Sequence, residues 1–205
     1  MDLNPAKFPN AAAFVGALPA GLSSYPDCAV KADVYEDLST EFNGLKDSDL
    51  PEIMKQYVNG QFESEWLPET VGNALLLTVR DAFFNSDEAF LDWATEKTID
   101  LFNKPIYRLM MHVFSTSLIV MGASKRWTKF HTGSSLYVKP VKKIEGRYKT
   151  VATLTYPPYL FSGLIVPQVA NVYLAVLKTN NAEDPEVVHR EKSDSQSVFF
   201  VSWKA

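Results

Sequence analysis

Cysteine occurs once in the 205 residues, at Cys28. An internal disulfide and a CxxC zinc site are thereby excluded, and a reducing, cytoplasmic setting is expected. A lone free cysteine usually packs as a small apolar side chain. Long hydrophobic runs are also missing. No stretch of 18 or more apolar residues occurs, so no membrane span is expected. The stretch AAAFVGALPA after Lys7 is short and preceded by Asp2 and Pro5 rather than a basic cluster, which argues against a secretory signal. HExxH, Gly-x-Ser-x-Gly, a P-loop and Gly-x-Gly-x-x-Gly are all absent, as are internal repeats and low-complexity tracts. Without any familiar catalytic signature, the chain is expected not to be an enzyme.

A hydrophobic fraction of 46% with 13% aromatics suffices for a substantial core, and the expectation is one domain over residues 1–205. Residues 1–130 read as mainly helical, and 131–205 as a sheet part with one helix. The net charge of −4 conceals an uneven distribution. Residues 1–100 carry 6 Lys+Arg against 18 Asp+Glu, residues 101–150 carry 10 against 1, and residues 151–205 carry 4 against 5. Such asymmetry fits an anionic partner, or two regions that face each other or occupy different surfaces.

Prolines and glycines bound a short first helix near residues 10–17. Helices are then expected from Asp27 to Phe42, and from a Ser48 or Asp49 cap to Asn59. Two more follow, one after Pro68 with Val71, Leu75, Val79 and Phe83 on one face, and one after the Ser86 cap. The most hydrophobic helix starts at Pro105, covers 105–122 and continues to residue 130, with Gly133 ending it. Beyond Gly133 the period alternates. Residues 134–140 and 147–156 read as a hairpin joined by KKIEG, 158–178 as an apolar helix, and EVVHREKS and SVFFVSW as a second hairpin. The expected fold is α+β, with N-terminal helices packed on a four-stranded antiparallel sheet of order β-β-α-β-β.

Three histidines could carry chemistry. His112 falls off the apolar arc of its helix, which suits a neighbouring helix or solvent, with a haem or metal ligand as the alternative. His189 shares a strand face with Val187 and Glu191, a cross-strand surface role. His131 sits in KRWTKFHTGSSLYV, where Gly133 supplies a permissive backbone and a cationic side chain complements the helix end. It reads as a helix-to-strand junction. No carboxylate lies nearby in sequence, so a general base here would need a distant orienting group. Lys125, Arg126, Lys129, Lys142, Lys143 and Arg147 are candidates for one rim that attracts anions or a partner. The acidic pI of 5.4 argues against nucleic acid.

The segments LPAGLSSYPDCAVKADVYEDL, WLPETVGNALLL, DEAFLDWATEKTIDLFNKPIYRLMMHVFS, KRWTKFHTGSSLYV and VFFVSW resemble a myxobacterial paralogous family of proteins about this long and of unknown function. The element order of the last hundred residues is similar to 4-vinyl reductase-type and haem–nitric-oxide-binding-like domains. That resemblance implies helices over an antiparallel sheet around a ligand cavity, in sensory or scaffold proteins. The cysteine pair of the former type is missing here, and YPPYLFSGL stands where the latter carry a tyrosine-serine-arginine signature. No cofactor or metal is therefore expected. Met110, Met111, Phe114, Tyr156, Tyr159, Phe161 and Tyr173 are the candidate walls for a small apolar or anionic ligand. The expected function is a non-catalytic ligand-binding or sensory module in intracellular signalling, with a protein–protein adaptor using the basic 125–149 surface as the alternative and an enzyme as third choice. The sequence leaves the oligomeric state open.

Overall fold

Proline starts the first helix, as its fixed φ and missing N–H allow. Helix α1 (Pro9–Ala17) leaves backbone donors at its N-terminus, and these are met from far along the chain. Asn10 N and Ala11 N donate to Asp81 Oδ2 at 2.8 and 3.1 Å, and Asn10 Nδ2 donates to Asp81 Oδ1 at 2.6 Å. The computed structural model describes residues 3–36, 38, 41, 44–45, 50–58, 64–105, 107 and 115–204.

The helix expected from Asp27 to Phe42 is not formed as such. Ala29–Lys31 is a strand, β1, paired antiparallel with β2 (Trp66–Pro68), Val30 opposite Leu67; only Asp33–Glu36 is helical, as α2. Tertiary pairing overrides local helical preference here, because Val30 and Leu67 are buried and β1 has a partner on its other side as well. Helix α3 (Glu52–Val58) follows Pro51, while its candidate caps Ser48 and Asp49 lie outside the described residues.

Helix α4 (Glu69–Phe83) is buried at every position from Glu69 to Val79, on all sides rather than on a single stripe. Such a helix belongs at the centre of a fold. Phe83, expected on the buried face, is instead exposed at its end. Helix α5 (Asp87–Asn103) starts at the expected cap, with Ala89 N donating to Ser86 Oγ at 3.2 Å.

The single helix expected over 105–130 is also corrected. The described part forms α6 (Thr116–Met121) and α7 (Ala123–Phe130), jointed at Gly122, and Ser115 before them is extended (φ −61°, ψ 151°). Ser115, Thr116 and Ser117 are residues whose side chains favour helix ends over helix interiors. Residues 106 and 108–114 lie outside the described residues.

Five strands build the main sheet, not four: β3 (Ser135–Val138), β4 (Lys142–Ile144), β5 (Arg147–Thr155), β6 (Glu183–Ser193) and β7 (Gln196–Lys204). All pairs are antiparallel in the order β3-β5-β7-β6, and β4 also lies beside β5. The expected strand 134–140 stops at Val138 because Pro140 has no N–H to give a ladder. The chain then resumes as β4 opposite the first residues of β5, with Lys142 facing Lys149. KKI of the expected loop is thus strand, and the turn is Glu145-Gly146 alone, both with positive φ (50° and 77°), as a two-residue hairpin requires. Helix α8 (Ile165–Thr179) connects β5 to β6, with Pro167 tolerated in its first turn. Alternation puts Ala152 and Leu154 of β5, and Phe199, Val201 and Trp203 of β7, into the core. Among the described residues, no helix is long and apolar enough to cross a membrane.

Candidate ligand-binding site

Three helices turn a stripe each toward one cavity of about 230 Å³. Helix α4 contributes Glu69, Asn73 and Leu76; α5 contributes Trp93, Lys97 and Leu101; α8 contributes Val169, Val172, Tyr173 and Val176. These spacings are those of one helix face. Trp127, Phe130 and His131 at the end of α7, with Phe161 from the loop before α8, complete much of the wall.

Most polar groups in this mostly apolar wall are engaged, the side chain of Gln168 on α8 being one without a hydrogen-bond partner among the described residues. Asn73 Nδ2 donates to Leu160 O at 2.8 Å, Lys97 Nζ sits 2.8 Å from Glu41 Oε1, and Tyr107 Oη donates to Asp33 Oδ2 at 2.6 Å. The Arg126 guanidinium donates to Ile119 O, satisfying a carbonyl at the end of α6, and burial lowers its pKa. Glu69, on the first turn of α4 and 1% exposed, is hydrogen-bonded through Oε2 to His131 Nδ1 at 3.0 Å. The imidazole stacks on Trp127, with centroids 3.8 Å apart and planes at 11°. Tyr173 differs. Its hydroxyl is buried with no hydrogen-bond partner among the described residues, and burial holds its phenol well above the usual ionisation range.

His131 lies at the C-terminal end of α7 with extended backbone, as expected of a junction. It bridges Val30 of β1, and the next residue ties the junction down further: Thr132 N donates to Ala29 O (2.8 Å), Thr132 Oγ1 to Asp27 O (2.8 Å), and Ala29 N to Thr132 Oγ1 (2.9 Å). Gly133 has φ +70°, and a Cβ there would stand 2.3 Å from Cys28 Sγ. Ser134 Oγ accepts from Trp127 Nε1 at 3.0 Å. The hydroxyl-rich TGSS stretch therefore fastens the junction. Its distant acid is Glu69, 62 residues earlier, which sequence spacing alone could not point to. The carboxylate orients the ring and leaves Nε2 as its other polar atom. The neighbouring Cys28 is no ready nucleophile, since burial, then the charges of Glu69 and Asp27, push its thiol up to about 11.

Of the candidate walls, Phe161 and Tyr173 line the cavity. Tyr156 packs on Phe161 at 5.1 Å and shares a hydrogen bond with Ser197 Oγ at 2.8 Å, away from the lining. Tyr159 is exposed, with φ 63°. Met110, Met111, Phe114 and the candidate His112 lie outside the described residues. The six candidate cations divide. Arg126 turns toward the cavity; Lys125 and Lys129 on α7 and Lys142 and Lys143 on β4 are exposed, Lys143 over the Tyr148 ring at 5.6 Å. Arg147 is bound by Asp184 at 2.6 Å and Glu186 at 3.5 Å, so it is not a free anion donor.

Known structures share this architecture. An oxygen-binding H-NOX domain related to soluble guanylate cyclases matches with a TM-score of 0.50 and 11% identity, over 85% of this chain and 94% of that one. A variant of Tt H-NOX matches at 0.53 and 14%, over 85% and 94%, and an Fe(II) unliganded H-NOX protein from K. algicida at 0.50 and 10%, over 85% and 97%. At such identities the likeness is one of fold. No family model and no curated protein matches the chain.

The fold likeness raises the question of haem, and the described lining does not fit one. About 230 Å³ falls below the roughly 300–1,000 Å³ usual for small-molecule sites, let alone a macrocycle with two propionates. His131 has one nitrogen on Glu69 and one ring face against Trp127, while Lys97 is already engaged. Among the described residues, no group of three or more His, Cys, Asp or Glu could hold a metal ion.

Proposed function

We propose that the chain is a ligand-binding module that holds a small, largely apolar molecule between α4, α5, α7 and α8, and that it works in intracellular signalling without catalysing a reaction. The cavity of about 230 Å³ carries this reading. Protein interiors otherwise pack with few voids larger than a water, and an apolar cavity of about 150 Å³ is enough to take up benzene. The sensory role rests on likeness to proteins described as binding oxygen and undergoing activation. Occupancy would act through α7 and the His131 junction, because both border the cavity and the start of the sheet.

Benzene tests the reading. At saturating benzene the wild-type unfolding midpoint should rise, by about 2–4 °C for each kcal/mol of binding. Val172→Phe, whose ring fills the space, should lose the response. Equal responses in both proteins, or none in the wild type, would refute the proposal.

A second reading, a protein–protein adaptor, draws on the exposed Lys125, Lys129, Lys142 and Lys143, which have no carboxylate partner among the described residues. Reversing charge at Lys142 and Lys143 should then weaken capture of an acidic partner and flatten its salt dependence. Unchanged capture and salt response would remove the adaptor reading.

A further inference from the structure

We infer that Arg126 is the anchor of the cavity, and that the ligand is a compact, mostly apolar monoanion whose carboxylate meets the guanidinium. This rests on the ligand-binding reading above and names the class of molecule. Three acidic or basic side chains besides His131 line the cavity among the described residues, Glu69, Lys97 and Arg126. Glu69 is met by His131 Nδ1, and Lys97 by Glu41. Arg126 has no carboxylate within ion-pair distance among the described residues, and its guanidinium donates only through Nη2, to the carbonyl of Ile119. Nε and Nη1 keep their protons unshared. The fork lies against Gly122 at the joint of α6 and α7, where a Cβ would stand 2.9 Å from Nη1 and 3.2 Å from Nη2, so glycine leaves room for it. A partly buried cation in a mostly apolar wall costs free energy until a partner offsets it. Burial lowers the pKa of Arg126, yet a guanidinium stays protonated in a protein, so the compensation has to come from an anion.

A carboxylate is the anion that fits. It brings a single charge to a single cation, and its oxygens match the parallel N–H bonds of the fork. A phosphate would bring more charge than this guanidinium offsets into a wall of Leu76, Trp93, Val169, Val172 and Val176. Gln168 on α8 also lacks a partner, but its amide both donates and accepts, so it suits neutral and anionic ligands alike and does not choose between them. Glu69 would repel an anion. It is held by His131, which ends α7, whereas the Arg126 fork rests on Gly122, which begins it, so the ligand's carboxylate belongs at the Gly122 end. The cavity of about 230 Å³ exceeds the roughly 150 Å³ that takes up benzene, which leaves room for a phenyl ring with a short acid chain.

Phenylacetate, phenylacetamide and phenethylamine share one skeleton and are negative, neutral and positive at neutral pH, so calorimetric titration of the three into wild type and Arg126→Gln tests the anchor. Phenylacetate should bind the wild type about tenfold more tightly than phenylacetamide, as a charge-assisted hydrogen bond implies, and the amine should bind most weakly. In Arg126→Gln the preference should shrink to within about twofold while phenylacetamide binding is kept. Equal or tighter binding of the amide by the wild type would overturn the anchor while leaving the cavity reading intact. So would a preference that survives Arg126→Gln, or the amine binding most tightly of the three. Binding of none to folded wild type would defeat the cavity reading and the anchor with it. Should Arg126→Gln fail to fold, the wild type alone supplies a second measurement, the ionisation of isotope-labelled phenylacetate followed by NMR at its carboxyl carbon. Bound beside a guanidinium the acid should ionise at lower pH than when free, and an unchanged or raised value would overturn the anchor.

Discussion

At the scale of single residues, Glu69 and His131 carry the largest consequence. Their contact joins the start of α4 to the end of α7, and either partner alone would leave a polar group in an apolar wall. His131→Ala should lower stability by about 1–3 kcal/mol, the cost of leaving the buried Glu69 carboxylate without its hydrogen-bond partner, above the 0.3–1 kcal/mol of a charge meeting a helix end. The double variant His131→Ala/Glu69→Leu should recover part of that loss, which denaturant titration of the four proteins would measure. Gly133→Val should be worse than either. It combines a positive φ with a Cβ 2.3 Å from Cys28 Sγ and 2.9 Å from Cys28 Cα, and should cost about 3 kcal/mol or more or prevent folding. The junction at Gly133 was legible from the change of period and the run HTGSS. Glu69 was not, because a carboxylate in the first turn of a helix looks like ordinary dipole complementation until the tertiary fold buries it.

At the scale of elements, the sequence announced those whose signals are local. Pro9 and Ser86 mark helix starts through backbone chemistry that needs no partner, whereas the helix expected over 158–178 begins only at Ile165, with Pro167 in its first turn rather than its interior; the alternation in β5 and β7 survives because one face is buried. Elements made by tertiary pairing went unseen. β1 reads as helix until β2 lies beside it, and β4 reads as loop until β5 gives its backbone a ladder. Helix α1 shows the same dependence, since its first donors are capped by Asp81, whose side chain is fully buried. Asp81→Ala should therefore cost about 1–2 kcal/mol and raise amide exchange in the first turn of α1 before elsewhere. Exchange rising uniformly over the chain would contradict this local role.

At the scale of the whole molecule, three buried acids share one direction. Cys28 is pushed up to about 11, and Tyr35 and Tyr173 well above the phenol range, in each case chiefly by burial. The unfolded chain gives up these protons first, so stability is intact below the ordinary thiol value of about 8.5 and is lost as pH rises through the folded values. Denaturation midpoints should fall between pH 8 and 10.5, and less steeply in Cys28→Ala. Of the walls expected from the sequence, Phe161 and Tyr173 line the cavity and Tyr156 and Tyr159 do not, most of the helix expected over 105–122 lies outside the described residues, and the faces of α4 and α5 were not foreseen as walls. The cavity's polar fittings come from five separate segments, and no periodicity reports such convergence. The lacing of Asp27 and Ala29 to Thr132, across as many as 105 residues, has a final consequence for synthesis. A ribosome releases β1 early, yet the strand's second neighbour is not made until residue 132, so the N-terminal third must wait, one edge open and the Glu69 carboxylate without its imidazole, for four-sixths of the message to be read.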